Sequence, residues 1–278
     1  MTDINTEKLS VLLLGAGSMG GSMLKGWIEE DLLDPARSGV ISPSGRPNIV
    51  TMCESCGVPV NPEEDQAWDI CVLAVKPQMF PSVLPNLDWP DIDKTMFMSV
   101  AAGVSIETIR NHLKGAGAGN APIVRVMPNL PTAVRKGCTL LYAGDDVSEE
   151  QRAAADRLIS ATGSAVWMNS EDELDRAMAI SGCAPAYVFL LVEAMTDAGV
   201  AVGLDRELAE RISRETVIGS GYLMEADPRS APELSKAVQS PGGTTAQAIS
   251  VLDREDGMRP LMEEAVKAAI KRARELAS

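Results

Sequence analysis

The first part of the chain alternates short apolar runs with helical patterns. The run from Val11 to Leu14 is unbroken, and Met19, Met23 and Trp27 then recur at helical spacing. A strand covered by helices on both faces reads as such a run, so this pattern predicts a central parallel strand followed by an amphipathic helix. Further strands are predicted at residues 38–42, 69–75, 95–100, 122–126, 138–143 and 165–168.

Two later helices carry recognisable start signals. Ser105 is placed to cap a helix that runs to Leu113, and Ser148 with Gln151 forms a capping-box pattern. These signals predict helices between the last strands of the sheet.

The pattern changes close to Met168. From residue 172 to the end we find only helical periodicity, which predicts two domains, residues 1–168 and residues 169–278. Residues 185–202 are apolar on nearly every face, with Glu193 and Asp197 as exceptions. A small second domain cannot easily bury such a helix, so we expect a partner subunit to cover it in an obligate homodimer.

Composition and charge narrow the possible functions. The 278 residues carry a formal net charge of −14, which argues against a nucleic-acid partner. The longest apolar run in the C-terminal half, residues 184–192, is shorter than the roughly 20 residues that a membrane span needs. The opening residues lack the pattern of a signal peptide, so we expect a cytoplasmic protein without membrane association.

The five cysteines are irregularly spaced and predict no disulfide framework. Cys53 and Cys56 have C-x-x-C spacing but precede Gly57 at a predicted helix C-terminus, whereas a redox pair favours the helix N-terminus. We interpret them as ordinary cysteines on a surface helix and predict no metal site.

Three glycines stand between the first strand and the first helix. Gly15, Gly17 and Gly20 have the G-x-G-x-x-G spacing of dinucleotide-binding turns. Gly15 permits the tight turn, Gly17 lets the backbone approach a pyrophosphate, and Gly20 lets the helix pack close to the strand. Glycines also cluster in turns that bind nothing, but the position between strand and helix favours a nucleotide site at the helix N-terminus.

The turn after the second strand favours NADPH over NADH. An NAD enzyme carries a carboxylate there for the ribose 2′-hydroxyl, whereas this chain has Ser42, Ser44 and Arg46. Hydroxyls and an arginine suit a 2′-phosphate. The alternative is a polar loop with an incidental arginine.

Other candidate cofactor contacts lie at strand ends. Ligands bind at the carboxyl edge of an open parallel sheet, which places Lys76, Ser99 and Asn129 on the cofactor side. In an acidic protein a polyanionic cofactor needs local cations, and Arg46, Lys76 and Arg125 are those near predicted strand ends.

A second turn rich in glycine and hydroxyl groups spans residues 240–245, Ser-Pro-Gly-Gly-Thr-Thr, before a helix predicted to start near Thr244. Free N–H groups and hydroxyls at a helix N-terminus suit a carboxylate ligand. A plain capped turn explains the spacing equally well.

Together these motifs resemble the pyrroline-5-carboxylate reductases, which make proline. The resemblance is carried, in the family's order, by residues 15–20, 74–77, 99–103, 127–129, 180–182, 185–187, 197–199 and 240–245. It implies an α/β N-terminal Rossmann-type domain with a doubly wound sheet and an all-α C-terminal dimerisation domain, often in decamers built from dimers.

The resemblance also implies the site residues. Substrate binding falls to Val238, Ser240, Gly243, Thr244 and Thr245. Cofactor binding falls to Gly15, Ala16, Gly17, Ser18, Met19, Gly20, Ser42, Ser44, Arg46, Ala74, Val75, Lys76, Pro77, Ser99, Ala101, Met127, Pro128 and Asn129.

Reduction of a cyclic C=N bond needs a hydride at carbon and a proton at nitrogen. An iminium substrate already carries that proton, so no strong side-chain acid is needed. This fits a chain whose only histidine, His112, lies near a predicted helix end. The protein then mainly orients its ligands. Thr245 is expected to reach the ring nitrogen and is the predicted catalytic residue.

Three alternatives remain from the sequence. A β-hydroxyacid dehydrogenase shares the domain plan. Enzymes of that family use a lysine on the first long helix of the second domain, whereas this chain has no lysine between Lys136 and Lys236, which counts against this alternative. Another cyclic-imine reductase and a non-catalytic NADPH-binding protein are the other two.

Overall fold

The computed structural model describes residues 7–62 and 66–277, with side chains up to residue 275. Its strands are β1 Val11–Leu14, β2 Gly39–Ile41, β3 Ile70–Leu73, β4 Met96–Ser99, β5 Ile123–Met127, β6 Gly137–Ala143 and β7 Gly163–Trp167. Its α-helices are α1 Ser18–Glu29, α2 Pro47–Cys56, α3 Phe80–Val83, α4 Ile106–Leu113, α5 Glu149–Ser160, α6 Glu171–Ser181, α7 Ala184–Ala201, α8 Arg206–Ala226, α9 Ala231–Ala237, α10 Thr244–Leu252 and α11 Met258–Ala277.

The seven strands form one sheet in the order β2-β1-β3-β4-β5-β6-β7. Neighbours among β1 to β5 are parallel, β6 is antiparallel to β5, and β7 is parallel to β6. Because β2 and β3 lie on opposite sides of β1, the strand order reverses there, and this switch point is where a doubly wound fold binds its ligand. The predicted Rossmann-type α/β fold is confirmed.

Alternating residues of each central strand enter two separate cores. Val11 and Leu13 pack with α1, α2 and α5, and Leu12 and Leu14 pack with α3 and α4. Trp27 of α1 is fully buried in the first core, where its ring N–H donates to the Leu158 carbonyl. Burial on both faces explains why the strands read as unbroken apolar runs.

The predicted helix caps are present. The Ser105 hydroxyl accepts the N–H of Thr108, and Ser148 and Gln151 form the reciprocal capping box. Helix α9 was not predicted, although Ser230 and Glu233 form a capping box at its start that the sequence displays.

Helix α6 packs against the sheet. Leu174 is fully buried in a small cluster with Met127 of β5 and Leu140 of β6. Among the described residues, those up to 182 together with 273–277 form one compact unit, and residues 183–272 form a second.

The second unit is helical and has almost no apolar core of its own. Helices α7 and α8 pack closely, since a β-carbon at Gly199 would lie 3.0 Å from that of Ala209. Thr196 is the only buried residue of α7, and the described residues of α9 and α10 include none. Large apolar side chains of the unit are exposed, among them Val188, Phe189, Leu190, Tyr222, Leu223 and Met224. A unit with so little burial cannot be stable alone in water.

One described stretch, Glu171–Ala201, is long and apolar enough by length and composition to cross a membrane. Only a small share of it is buried in the single chain. An interface helix of a water-soluble protein has the same character, so this finding alone does not indicate a membrane.

Candidate active site

The glycine turn joins β1 to α1 at the switch point of the sheet. Gly15 has a φ of +99°, which L-residues rarely adopt, and its β-carbon would lie 2.8 Å from the Ala74 carbonyl oxygen. A β-carbon at Gly20 would collide with the Gly15 carbonyl oxygen. These two glycines are therefore required by the turn and by close packing against the end of β3.

Gly17 differs from its two neighbours because a β-carbon there would meet no atom within 4 Å. Its backbone has an ordinary φ of −71°. Neither the turn nor the packing therefore requires glycine at this position. Open space in front of the backbone is what a bound pyrophosphate needs.

The N-terminus of α1 is open to a ligand. Helix geometry leaves the N–H groups of Ser18, Met19 and Gly20 without acceptors in the helix. No side chain caps this end, and its first turn has no acidic residue. Donors at a positive helix end without a competing carboxylate suit a phosphate group.

The turn between β2 and α2 presents polar groups to solvent. Ser44 and Arg46 are exposed, and no carboxylate occurs between Ser42 and Arg46. Sequence reasoning missed the residue that shapes this turn, Asn61. Its side-chain oxygen accepts the N–H of Ser42 at 2.8 Å, and its amide nitrogen donates to the Ser42 carbonyl at 3.3 Å. Asn61 therefore pairs with both backbone polar groups of Ser42, its N–H and its carbonyl.

The carboxyl ends of β3 and β4 contribute groups of different accessibility. Ala74 and Val75 are half-buried and Lys76 is exposed, so they are open to a ligand at the end of β3. Ser99 and Ala101 are buried, and the Ser99 hydroxyl accepts the N–H of Ala101 at 3.3 Å. The Ser99 hydroxyl thus already accepts a hydrogen bond from the backbone of the same chain.

Asn129 follows β5 and is 8% exposed. Its amide nitrogen donates to the Ser181 carbonyl and its side-chain oxygen accepts the N–H of Cys138, both at 3.0 Å. Both halves of the side-chain amide are engaged, so the residue joins three elements of the first unit.

The expectation that Arg125 supplies a cation for the cofactor is wrong. Its guanidinium is 2% exposed and pairs with Glu171 at 2.9 Å and with Asp175 at 2.8 Å. Both carboxylates lie on α6, about 50 residues further along the chain. A buried arginine with two carboxylate partners has no charge left for a phosphate.

The turn at residues 240–245 precedes α10 in the second unit. Gly242 has a φ of +69°, the N–H of Gly243 donates to the Ser240 carbonyl at 2.9 Å, and a β-carbon at Gly243 would collide with the Ser240 hydroxyl. No side chain caps α10, and its first turn has no acidic residue. Ser240, Thr244, Thr245 and Val238 are exposed. The turn therefore presents hydroxyls beside free helical N–H groups, as a carboxylate requires.

The cysteine pair has a different environment from the one expected. Cys53 is fully buried in the first core rather than at the surface, and Cys56 is half-buried. Burial raises the pKa of the Cys53 thiol from 9.0 to about 11, with a smaller contribution from Cys56. A thiol with a raised pKa is a poor nucleophile, so Cys53 lacks redox reactivity at neutral pH. No group of three potential metal ligands occurs among the described residues.

Two family models match the chain. The family described as "Pyrroline-5-carboxylate reductase dimerisation" matches residues 171–276, and the one described as "NADP oxidoreductase coenzyme F420-dependent" matches residues 10–103. The first match covers the helical region, and the second covers the glycine turn and the first four strands.

Full-length relatives give the same result. The chain is 35% identical to the pyrroline-5-carboxylate reductase of Pseudomonas aeruginosa over 96% of both chains, and 34% identical to that of Glycine max over 98% of both.

Solved structures of such enzymes are also similar. The Coxiella burnetii pyrroline-5-carboxylate reductase has a TM-score of 0.88 and 34% identity, covering 98% of this chain and 100% of its own. The Plasmodium falciparum pyrroline carboxylate reductase, solved with NADP bound, has a TM-score of 0.78 and 26% identity, covering 98% and 99%. With matching motifs, fold and full-length relatives, the chain belongs to the pyrroline-5-carboxylate reductase family.

Proposed function

We propose that the protein reduces 1-pyrroline-5-carboxylate to L-proline, the last step of proline biosynthesis, with NADPH as the hydride donor. The observation that carries the proposal is the presence in one chain of two helix N-termini that follow glycine-containing turns and lack both a capping side chain and an acidic first turn. One follows a dinucleotide-type glycine turn, and the other follows a turn of hydroxyls and glycines that suits a carboxylate. Membership of the pyrroline-5-carboxylate reductase family indicates a reaction that uses both a dinucleotide and a carboxylate substrate.

The cofactor residues follow from the first unit. The backbone of residues 15–20 would hold the pyrophosphate. Ser42, Ser44 and Arg46 would bind the 2′-phosphate on a turn that Asn61 holds in place. Residues 74–77 would line the end of β3, while Ser99, Ala101, Met127, Pro128 and the backbone of Asn129 remain predicted contacts. The absence of a carboxylate between Ser42 and Arg46 supports NADPH over NADH, because a carboxylate would repel the 2′-phosphate.

The substrate residues follow from the second unit. Ser240, Gly243, Thr244 and Thr245 would hold the substrate carboxylate through hydroxyls and helical N–H groups, with Val238 beside them. NADPH supplies a hydride when bound. If the substrate binds as an iminium ion, the nitrogen already carries its proton, and the protein has to orient the ring and exclude competing geometries. We assign Thr245 the role nearest the ring nitrogen.

We propose that the working form is an obligate homodimer, with a decamer built from such dimers as the larger assembly. The chain belongs to a family with a dimerisation domain, and the exposed apolar side chains of α7 and α8 are what such an interface would bury. A partner subunit explains the apolar stretch Glu171–Ala201 better than a membrane does, because the first half of α6 carries the carboxylates of Glu171, Asp172, Glu173 and Asp175.

The proposed domain division is residues 1–168 for NADPH and residues 169–278 for dimerisation and substrate. The match of the dimerisation family from residue 171 supports this boundary, although α6 packs on the sheet. A cytoplasmic location stays a prediction.

One assay tests the function directly. Purified protein should form proline from pyrroline-5-carboxylate with NADPH, and more slowly with NADH. Transfer of deuterium from labelled NADPH to proline distinguishes this reductase from a non-catalytic NADPH-binding protein. A preparation that binds NADPH but reduces a 3-oxo acid instead would favour the β-hydroxyacid dehydrogenase alternative.

A further inference from the structure

Helix α6 is attached to the sheet at both of its ends. We infer that Asn129 is a positioning residue of the reductase reaction, acting by holding the last turn of α6 at the carboxyl end of β5. This inference rests on the proposed function, and it gives Asn129 a role other than that of a cofactor ligand.

The contacts of Asn129 account for its whole side chain. The amide nitrogen donates to the carbonyl of Ser181, the last residue of α6, and the side-chain oxygen accepts the N–H of Cys138 in β6. The final carbonyls of a helix have no acceptor role within the helix, so the Ser181 carbonyl depends on a donor from outside. The amide offers both a donor to α6 and an acceptor to β6 from one short side chain.

The opposite end of α6 is held by Arg125, which lies within β5. Its guanidinium pairs with Glu171 and Asp175, and the Glu171 carboxylate also accepts the N–H of Ile106 at the start of α4. Arg125 and Asn129 thus attach α6 to β5 at two points. A helix attached in this way cannot slide or rotate on the sheet without breaking one of these partly buried polar contacts.

The placement of α6 matters for turnover because the chain enters the second unit directly after it. That unit begins at residue 183 and carries the turn of residues 240–245. Oriented reactions are sensitive to position, and a misplacement of about 1 Å costs up to roughly a hundredfold in rate. Neither hydrogen bond of the Asn129 side chain goes to the glycine turn that would bind NADPH.

Two substitutions separate the contacts of Asn129. Asn129→Ala removes both hydrogen bonds. Asn129→Asp keeps the shape and the acceptor for Cys138 but, at neutral pH, sets a carboxylate oxygen against the Ser181 carbonyl. Asn86→Ala is the matched control, because Asn86 also donates to a backbone carbonyl of the first unit, but its acceptor is Ser82 rather than a residue of α6 and its side chain is exposed.

The assay measures kcat and KM for pyrroline-5-carboxylate and the Kd for NADPH in the binary complex. Both Asn129 variants should lower kcat by roughly tenfold to a hundredfold, with the aspartate at least as impaired as the alanine and the Kd for NADPH unchanged. Asn86→Ala should match the wild type in all three quantities.

The pH dependence is the sharper readout. As the pH falls, the carboxyl group introduced by Asn129→Asp becomes protonated and regains a donor for the Ser181 carbonyl. The kcat of the aspartate variant should then rise severalfold relative to that of the alanine variant. A general loss of stability would not produce this recovery. If the alanine variant does not fold, the aspartate variant compared with the wild type across the same pH range carries the test.

Three results would overturn the inference. A raised Kd for NADPH with an unchanged kcat would make Asn129 a cofactor ligand. An aspartate variant as active as the wild type at neutral pH would show that the bond to α6 is dispensable. A kcat ratio of the two variants that does not change with pH would exclude the proposed donor. If the wild type itself forms no proline, the proposed function fails instead, so the two failures are distinguishable.

Discussion

Replacing Gly17 by alanine tests whether a pyrophosphate binds at the N-terminus of α1. The new β-carbon would meet no protein atom within 4 Å, and the φ of −71° suits alanine. The folded protein should therefore accommodate the new methyl group without a clash. The lower entropy of the unfolded chain is worth about 0.4–1 kcal/mol, and the poorer N-cap preference of alanine at the start of α1 offsets it. The melting temperature should therefore change little.

The affinity of the Gly17→Ala variant for NADPH should fall. The methyl group would fill the open space in front of the turn and keep phosphate oxygens away from the backbone N–H groups. A hydrogen bond to a charged group contributes about 1.5–3 kcal/mol. Losing one such bond raises the Kd roughly tenfold to 150-fold. Titration of NADPH fluorescence against the purified variant measures this change.

Gly20→Ala is the matched contrast within the same turn. Its β-carbon would collide with the Gly15 carbonyl oxygen, which is backbone and cannot move aside. Overpacking of this kind costs about 1–3 kcal/mol, so its melting temperature should fall. A Gly17→Ala protein that binds NADPH as tightly as the wild type would refute the phosphate site. One that melts at a much lower temperature would refute the steric argument.

Four further predictions follow from the site and the interface. Arg46→Asp should weaken NADPH binding and spare NADH in parallel titrations, and equal losses for both would contradict a 2′-phosphate contact. Thr245→Ala should lower kcat/KM roughly tenfold to a hundredfold with the NADPH Kd unchanged, and a far larger loss would make Thr245 an essential proton donor. Leu190→Glu should dissociate or unfold the dimer in sedimentation experiments, because burying an unpaired charge costs several kcal/mol, so an active monomer would end the interface argument. Because the folded pKa of Cys53 is raised to about 11, the thiol contributes stability that is present below pH 9 and lost as the pH rises toward 11, and Cys53→Ala should abolish that part of the fall in unfolding free energy.

Most secondary-structure elements of the fold could be predicted from residues that are close in sequence. The apolar run of β1, the glycine spacing and the amphipathic pattern of α1 are contiguous, so the strand-turn-helix unit follows from neighbouring residues alone. The capping box of Ser148 and Gln151 is equally local and is found as predicted. Such features depend on the backbone geometry of a few consecutive residues, and the residue types at those positions are enough to predict them.

The polar partners of buried side chains depended on the tertiary structure. A strand pattern shows that Arg125 lies near a strand end but not that Glu171 and Asp175 approach it from α6. In the same way, the motif at residues 127–129 indicates a ligand-binding edge, whereas the structure directs the Asn129 amide to Ser181 and Cys138. These pairs are separated by 9 to 52 residues, and no local pattern encodes them.

The sequence by itself determined the sheet, the glycine turn and the all-helical C-terminal region, because each is specified by periodicity or by residues close in the chain. Only the tertiary structure decided that α6 packs on β5 and β6, that Cys53 is buried, and that Asn61 holds the turn bearing Arg46. The physical reason is that burial and hydrogen-bond partners are properties of surfaces brought together by folding. Periodicity identifies which face of a helix is apolar, but not which other element covers it.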